Sequence, residues 1–273
     1  MENLKDKVIV ITGGATGIGF ALAKSFGAEG ARIVIGEQRQ EQLKIATDAL
    51  ADLDVEAVSM VMDVSDLDSV NAFADFSWKT FGRVDMLINN AGISGARGAI
   101  HKINVDEARH IFNVNFFGVW HGCAVFSGRM IEQGTPAAIF NLGSENSLFP
   151  AVPKSPAYIA SKHAVLGLSE SLRQDLPDFI HVGTIFPGYV STPLTGNGDA
   201  GMPADEFAEI VKKQIVAGEH FIVSHSYNMV HVDARQNDLE SAYERYAPRH
   251  DGDDKYDVGK IIEHMVAARK PRD

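Results

Sequence analysis

The chain has 273 residues, 45% of them hydrophobic, which is enough for one large α/β domain with a full core. A formal net charge of −11 repels phosphate backbones and anionic lipid surfaces, which argues against nucleic-acid and membrane-surface partners. The single cysteine, Cys123, rules out an internal disulfide; no secretory pattern marks MENLKDKVIVITGG and no apolar run is long enough for a bilayer, so a cytoplasmic protein is expected.

In chain order, strands are predicted at 7–12 (KVIVIT), 31–36 (ARIVIG), 55–62 (VEAVSMVM), 84–89 (VDMLIN), 137–143 (AAIFNLG), 181–186 (HVGTIF) and 220–224 (HFIVS). Most lack polar/apolar alternation, the mark of strands buried on both faces in a parallel sheet. Between them, amphipathic stretches predict helices at 17–28, 39–51, 66–81, 104–133, 156–175 and 203–217, the fourth breaking near Asn113. Repeated strand–helix alternation implies right-handed crossovers and a single-domain, doubly wound parallel sheet of about seven strands with helices on both faces. Residues 226–273 read as a polar, helical C-terminal extension, with 249–257 (RHDGDDKYD) as an exposed loop.

The first strand runs into a turn with Gly13, Gly14, Gly17 and Gly19, and then a helix. Such a turn lets backbone approach a pyrophosphate, and the helix N-terminus favours its charge. The spacing is neither GxGxxG nor a P-loop, and alone it could be only a tight connection. Glu37, at the end of the second strand and twenty residues after Gly17, strengthens the dinucleotide reading. An acid there binds both adenosine-ribose hydroxyls and repels a 2′-phosphate, favouring NAD. Arg39 is the rival signal, since it could accommodate that phosphate and NADP; Thr16, not a basic residue, precedes Gly17.

SPAYIASKHAV places Tyr158 and Lys162 on one helix face, behind Ser155 as N-cap and Pro156 as first helical residue. A phenol titrates near about 10, and making it a base at neutral pH costs about 4 kcal/mol. Lys162 one turn on, the helix N-terminus and an oxidised nicotinamide would supply it. Tyr158 is therefore the expected general acid/base, with Ser144 hydrogen-bonding the substrate oxygen.

TGGATGIG (12–19), DVSD (63–66), NNAG (89–92), NVNFFG (113–118), NLGS (141–144), YIASK (158–162) and PGYVST (187–192) occur in one order, and over residues 5 to about 195 this set resembles the short-chain dehydrogenase/reductase family. The resemblance implies a Rossmann-like fold and an enzyme moving a hydride between an alcohol and a nicotinamide dinucleotide. It implies Asn115, Ser144, Tyr158 and Lys162 as the catalytic set, with Lys162 also on the nicotinamide ribose and Asn115 placing a water that links Lys162 to solvent. Implied cofactor contacts are Gly13, Thr16, Gly17, Ile18, Gly19, Glu37, Asp63, Val64, Asn90, Ala91, Gly92, Tyr158, Lys162, Pro187, Gly188, Val190 and Thr192, the last at the nicotinamide amide. A gap of 14 residues from Ser144 to Tyr158 is one more than usual in the family and leaves Ser147 as a rival serine.

Residues 189–217 fall where the family carries its substrate lid, and GNGDAG (196–201) has the composition of a mobile loop. Tyr189, Leu194, Met202 and Phe207 are candidates for one apolar wall, Phe149 and Val152 for the other. A hydrophobic or aryl secondary alcohol, or its ketone, is the expected substrate, and the tail from 218 loosely resembles bacterial members acting on bulky or aryl alcohols. Glu145 is expected to face solvent. The ten histidines, His101, His110 and His121 among them, show no metal-ligand spacing, so no metal is expected. Cys123 reads as a core thiol, and Phe116, Phe117 and Trp120 as core or subunit contacts. The family implies a homotetramer, or a homodimer, through the 104–133 and 156–175 helices. Competing readings are an NADPH-dependent ketone reductase and a cofactor-sensing regulator without turnover.

Overall fold

Val8–Thr12 (β1) shows how the core is divided. All five residues are buried, but Ile9 and Ile11 enter one apolar cluster and Val8 and Val10 another, as the two-residue period of a strand requires. A computed structural model of the chain describes residues 3–95, 97–196 and 200–269, and side chains as far as residue 266. The sheet has seven parallel strands. With Arg32–Glu37 (β2), Ala57–Val61 (β3), Met86–Asn89 (β4), Ala137–Leu142 (β5) and Ile180–Phe186 (β6) named in chain order, and Val190–Ser191 (β7) and Met202–Pro203 (β8) forming a separate short pair, the order is β3-β2-β1-β4-β5-β6-β9, where β9 is Phe221–Val223.

The first cluster lies under Gly17–Gly27 (α1), Gln40–Ala51 (α2) and Ala204–Ala217 (α7), through Leu22, Phe26, Leu43, Phe207 and Val211. Leu67–Phe81 (α3), Gly118–Gln133 (α5) and Pro156–Asp175 (α6) cover the other face, through Phe73, Phe126 and Val165. Each such fully buried side chain contributes roughly 1.5–3 kcal/mol. This is the doubly wound α/β sheet of the Rossmann type. β1 is flanked by β2 and β4, so the strand order reverses beside it, and the crevice at this switch point is where the glycine turn and NNAG emerge.

The long fourth helix differs from expectation. It does not break at Asn113: Val105–Phe112 (α4) continues through a π-helical turn, Asn113–Phe117, into α5, with helical backbone at Asn113 and Gly118. A π-turn inserts one residue without ending the helix, and here it carries Asn115, fully buried. Gly118 fits because a Cβ there would lie 2.7 Å from Val64 Cγ2. Ser155 stands at the N-cap of α6, but its hydroxyl makes no capping bond; Pro156 opens the helix. Cys123 is buried, and burial pushes its thiol up to about 12.

The chain divides into two compact units, one ending at Asn228 and the other starting at Met229. The second is helical: Asn228–Tyr246 (α8) enters it, and Val258–Arg269 (α9) follows. The expected 249–257 loop contains a 3₁₀ turn, Asp253–Tyr256, tied by Arg249 to Asp253 at 2.7 and 2.8 Å. Of the expected extension, residues 270–273 lie outside the described residues. Among the described residues, no helix is long and apolar enough to cross a membrane.

Candidate active site

The glycine turn is built around Asn90. Its amide donates to the carbonyls of Thr12 and Gly13, both at 2.9 Å, while Thr12 Oγ1 accepts from the N–H groups of Asn90 and Ala91. Gly13 and Gly17 have φ of +62° and +55°, and a Cβ on Gly19 would lie 2.4 Å from the Gly13 carbonyl oxygen. Beyond it opens a cleft of about 500 Å³. Gly13, Thr16, Gly17, Ile18, Glu37, Asp63, Val64, Asn90, Ala91, Gly92 and Thr192 border it. Gly19, Tyr158, Lys162, Pro187, Gly188 and Val190 do not border it. Gly19 is the floor of the turn, and Gly188 is pressed on His225, whose ring a Cβ would meet at 2.5 Å. A row of glycines without room for Cβ atoms, beside an acid at the end of β2, fits a dinucleotide.

At the β2 end, Arg39 lies against Glu37, with Nε to Oε1 at 2.9 Å and a terminal nitrogen to Oε2 at 3.2 Å, and reaches Thr16 Oγ1 at 3.4 Å. The two rival signals of the sequence are thus partners. Asp63 takes Gln38 Nε2 on one oxygen and the Ser65 hydroxyl and N–H on the other.

At the β5 end stand the expected chemical groups. Ser144 follows β5, and Tyr158 and Lys162 come from the first turns of α6. The Ser144 hydroxyl neighbours the Tyr158 phenol. Lys162 is buried, its Nζ donating to the Leu142 carbonyl at 2.7 Å and lying 5.9 Å from the Tyr158 ring centre. Burial pushes the ammonium down to about 8. Burial also raises the phenol; the neighbouring Ser144 hydroxyl opposes that, and the Glu145 charge adds to it. The Lys162 ammonium keeps its charge while it donates to the Leu142 carbonyl, and Glu145, expected to face solvent, is half-buried and its charge acts on the phenol. Ser147, the rival serine, is buried and committed to backbone, donating to the Lys162 carbonyl at 2.7 Å and accepting the Ser144 N–H. Asn115 holds both backbone groups of Ile93, at 2.8 and 2.9 Å, beside Gly92.

The expected substrate walls are brought together only in part. Leu194 borders the cleft and is half-exposed; Tyr189 is exposed, its hydroxyl on the Thr195 carbonyl. Val152 is half-buried and Phe149 buried. Met202 pairs with Val190 across β7 and β8 and packs on the core. Phe207 is a correction: it is fully buried in the core cluster shared by α1 and α7, on the inward face of an amphipathic helix, and faces no cleft. Residues 197–199 of the expected lid lie outside the described residues. Sequence reasoning missed Asn146, buried beside Ser144, and His225, which accepts the Gly188 N–H at 3.3 Å. Only the three-residue step of the 3₁₀ turn Glu145–Ser147 could have signalled the first. Among the described residues, no group of three His, Cys, Asp or Glu side chains could hold a metal.

The sequence pattern of the short chain dehydrogenase family matches residues 7–202. The chain belongs to this family. Among its members, 1-deoxy-11-beta-hydroxypentalenate dehydrogenase of Streptomyces avermitilis is 30% identical over 247 residues, covering 87% of this chain and 91% of its own. The NADP-dependent (R)-specific alcohol dehydrogenase of Lentilactobacillus kefiri is 36% identical, over 71% of this chain and 77% of its own. A short chain dehydrogenase/reductase of Burkholderia phymatum, solved in complex with NAD, superposes with a TM-score of 0.83 at 28% identity, over 92% of this chain and all of that one. A short-chain dehydrogenase of this kind is an oxidoreductase of hydroxyl and ketone substrates that uses NAD or NADP.

Proposed function

We propose that this enzyme oxidises a hydrophobic or aryl secondary alcohol to its ketone with NAD, with Tyr158 as general base. The observation that carries the reading is Tyr158 and a buried Lys162 one turn apart on α6, with Ser144 next to the phenol, behind the Gly92 and Leu142 end of a cleft that begins at Glu37. A bound nicotinamide dinucleotide would supply the hydride acceptor. Gly13, Thr16, Gly17 and Ile18 would hold its pyrophosphate, Glu37 its adenosine ribose, Asp63 and Val64 its adenine side, and Asn90, Ala91, Gly92 and Thr192 its nicotinamide half. Tyr158 takes the alcohol proton, Ser144 donates to the substrate oxygen, and Lys162 and Asn115 anchor the floor. Leu194 and Tyr189 on one side, and Val152 with Phe149 behind it, supply the apolar walls. The relative that acts on a hydroxypentalenate agrees with a bulky alcohol.

A second reading, NADPH-dependent ketone reduction, draws on Arg39. Swung away from Glu37, its guanidinium would meet a 2′-phosphate, and one relative is named NADP-dependent. Both residues border the cleft, and we favour NAD because Glu37 is fixed at the strand end, more deeply buried than the exposed Arg39. A homotetramer is proposed as well, on the exposed Phe117 and Trp120 of the π-turn and α5. The test is a panel of secondary alcohols with NAD and with NADP, read by absorbance of the reduced cofactor. Tyr158→Phe is expected to lower kcat by about 10²–10⁴-fold. Unchanged turnover in Tyr158→Phe would overturn the reading, and a preference for NADP would replace the cofactor.

A further inference from the structure

Asn146 is 2% exposed, and its side-chain amide is used on both ends. Oδ1 accepts the N–H groups of Ala151 and Val152, each at 3.0 Å. Two backbone donors on one atom settle which end of the amide is oxygen, because an NH₂ group cannot accept them. Nδ2 therefore faces Ser144, and it lies 3.2 Å from Ser144 Oγ. The Asn146 backbone N–H also reaches Ser144 Oγ, at 3.1 Å. A hydroxyl has two acceptor sites and one proton. Both acceptor sites on Ser144 are filled from Asn146, so what Ser144 has left to offer the neighbouring phenol or a substrate is its proton.

We propose that Asn146 is a positioning residue that fixes the Ser144 hydroxyl as a donor, toward the Tyr158 oxygen in the free enzyme and toward the substrate oxygen once an alcohol is bound. With the serine proton directed outward, the Tyr158 oxygen accepts and its own proton is free to face the cleft. The same donor meets the negative charge on the phenolate, or on an alkoxide-like substrate oxygen, as the proton moves. Glu145 and Lys162 are the charged groups beside this pair; the first opposes the phenolate, and the second is held on Leu142. The same asparagine ties the serine to the 151–152 stretch that carries the proposed apolar wall, so substrate wall and donor are set by one side chain.

The proposal rests on Tyr158 as acid/base, and two readouts keep the two apart. Asn146→Asp retains an oxygen for Ala151 and Val152 but replaces the amide donor by an acceptor, which turns the Ser144 proton inward. Oxidation kcat is expected to fall about 10²-fold. The rising limb of its pH profile should move up by about one pH unit, since phenolate loses a donor and gains a like charge. KM for the dinucleotide should hold within about twofold, and in a Ser144→Ala background the same substitution should change kcat less than about twofold. Asn146→Ala, run through the same cycle, serves if the aspartate variant does not fold. An equal loss with and without the serine would overturn the proposal, as would an unchanged pH profile.

The second readout needs no turnover. Protein labelled at the tyrosine ring carbon is titrated by NMR, with the Tyr158 signal among the six tyrosines assigned through Tyr158→Phe. Its titration should begin at higher pH in Asn146→Asp than in the parent, and the difference should vanish in Ser144→Ala. Superimposable titrations overturn the Asn146 role even if alcohols are turned over. A shifted titration in a protein that turns over no alcohol keeps it and removes the acid/base reading.

Discussion

At the β2 end of the cleft, Glu37 is satisfied by a guanidinium whose side chain is 56% exposed, whereas at the β5 end Lys162 is 3% exposed and bonded to a carbonyl. A partner standing in water can swing off its acid at a cost of about 1 kcal/mol or less. An ammonium sealed under a strand end cannot, and it carries its burial cost in the fold itself. One end is thus arranged for exchange of partners and the other for a fixed orientation, as the proposed recognition and proton transfer would require.

The largest effect should come from the sealed end. Burial places the Lys162 pKa at about 8, against 10.5 for the free group. Below pH 8 the folded and unfolded chains both carry the proton, and the cost is full. Between about 8 and 10.5 the unfolded chain binds more protons, so stability rises with pH; above that the cost is gone. Lys162→Met should accordingly be more stable than the parent at pH 7, by up to about 3 kcal/mol, with the gain fading toward pH 10.5. Alcohol oxidation should fall by at least about 10²-fold. Denaturant unfolding across that pH range checks it, and a gain that does not change with pH would break the contrast between the two ends.

A middle-sized effect is expected between them. Gly19→Ala would push a methyl into the Gly13 carbonyl, a backbone atom that cannot step aside. Stability should fall by about 1–3 kcal/mol, visible as a lower Tm, and dinucleotide affinity should fall with it in a fluorescence titration.

The smallest effect belongs to the open end and concerns preference. Arg39→Ala should lower stability by about 1 kcal/mol or less and leave Glu37 unneutralised, raising the NAD-to-NADP ratio of kcat/KM by about tenfold. Glu37→Gln should move that ratio the other way. If Arg39→Ala instead weakens NADP and NAD alike, the pair holds the turn through Thr16 rather than selecting the cofactor.

The sheet and the cofactor turn were legible in the sequence for local reasons. Uninterrupted Val/Ile runs such as KVIVIT can be buried only between two layers, and the glycines of TGGATGIG are demanded by the backbone itself, as the φ of Gly13 and Gly17 bears witness. Tyr158 and Lys162 were legible as neighbours because four residues are one helical turn. Which partner each takes was not legible. Lys162 on the Leu142 carbonyl, Arg39 on Glu37, Phe207 inside the core and Asn146 between Ser144 and Val152 depend on where separate elements meet. The sequence by itself determined the elements and the residue types that stand at the strand ends, since those follow from backbone sterics and periodicity. The direction of each hydrogen bond was decided only in the tertiary structure, because a hydroxyl or an amide is donor or acceptor according to the neighbours that fill its other sites.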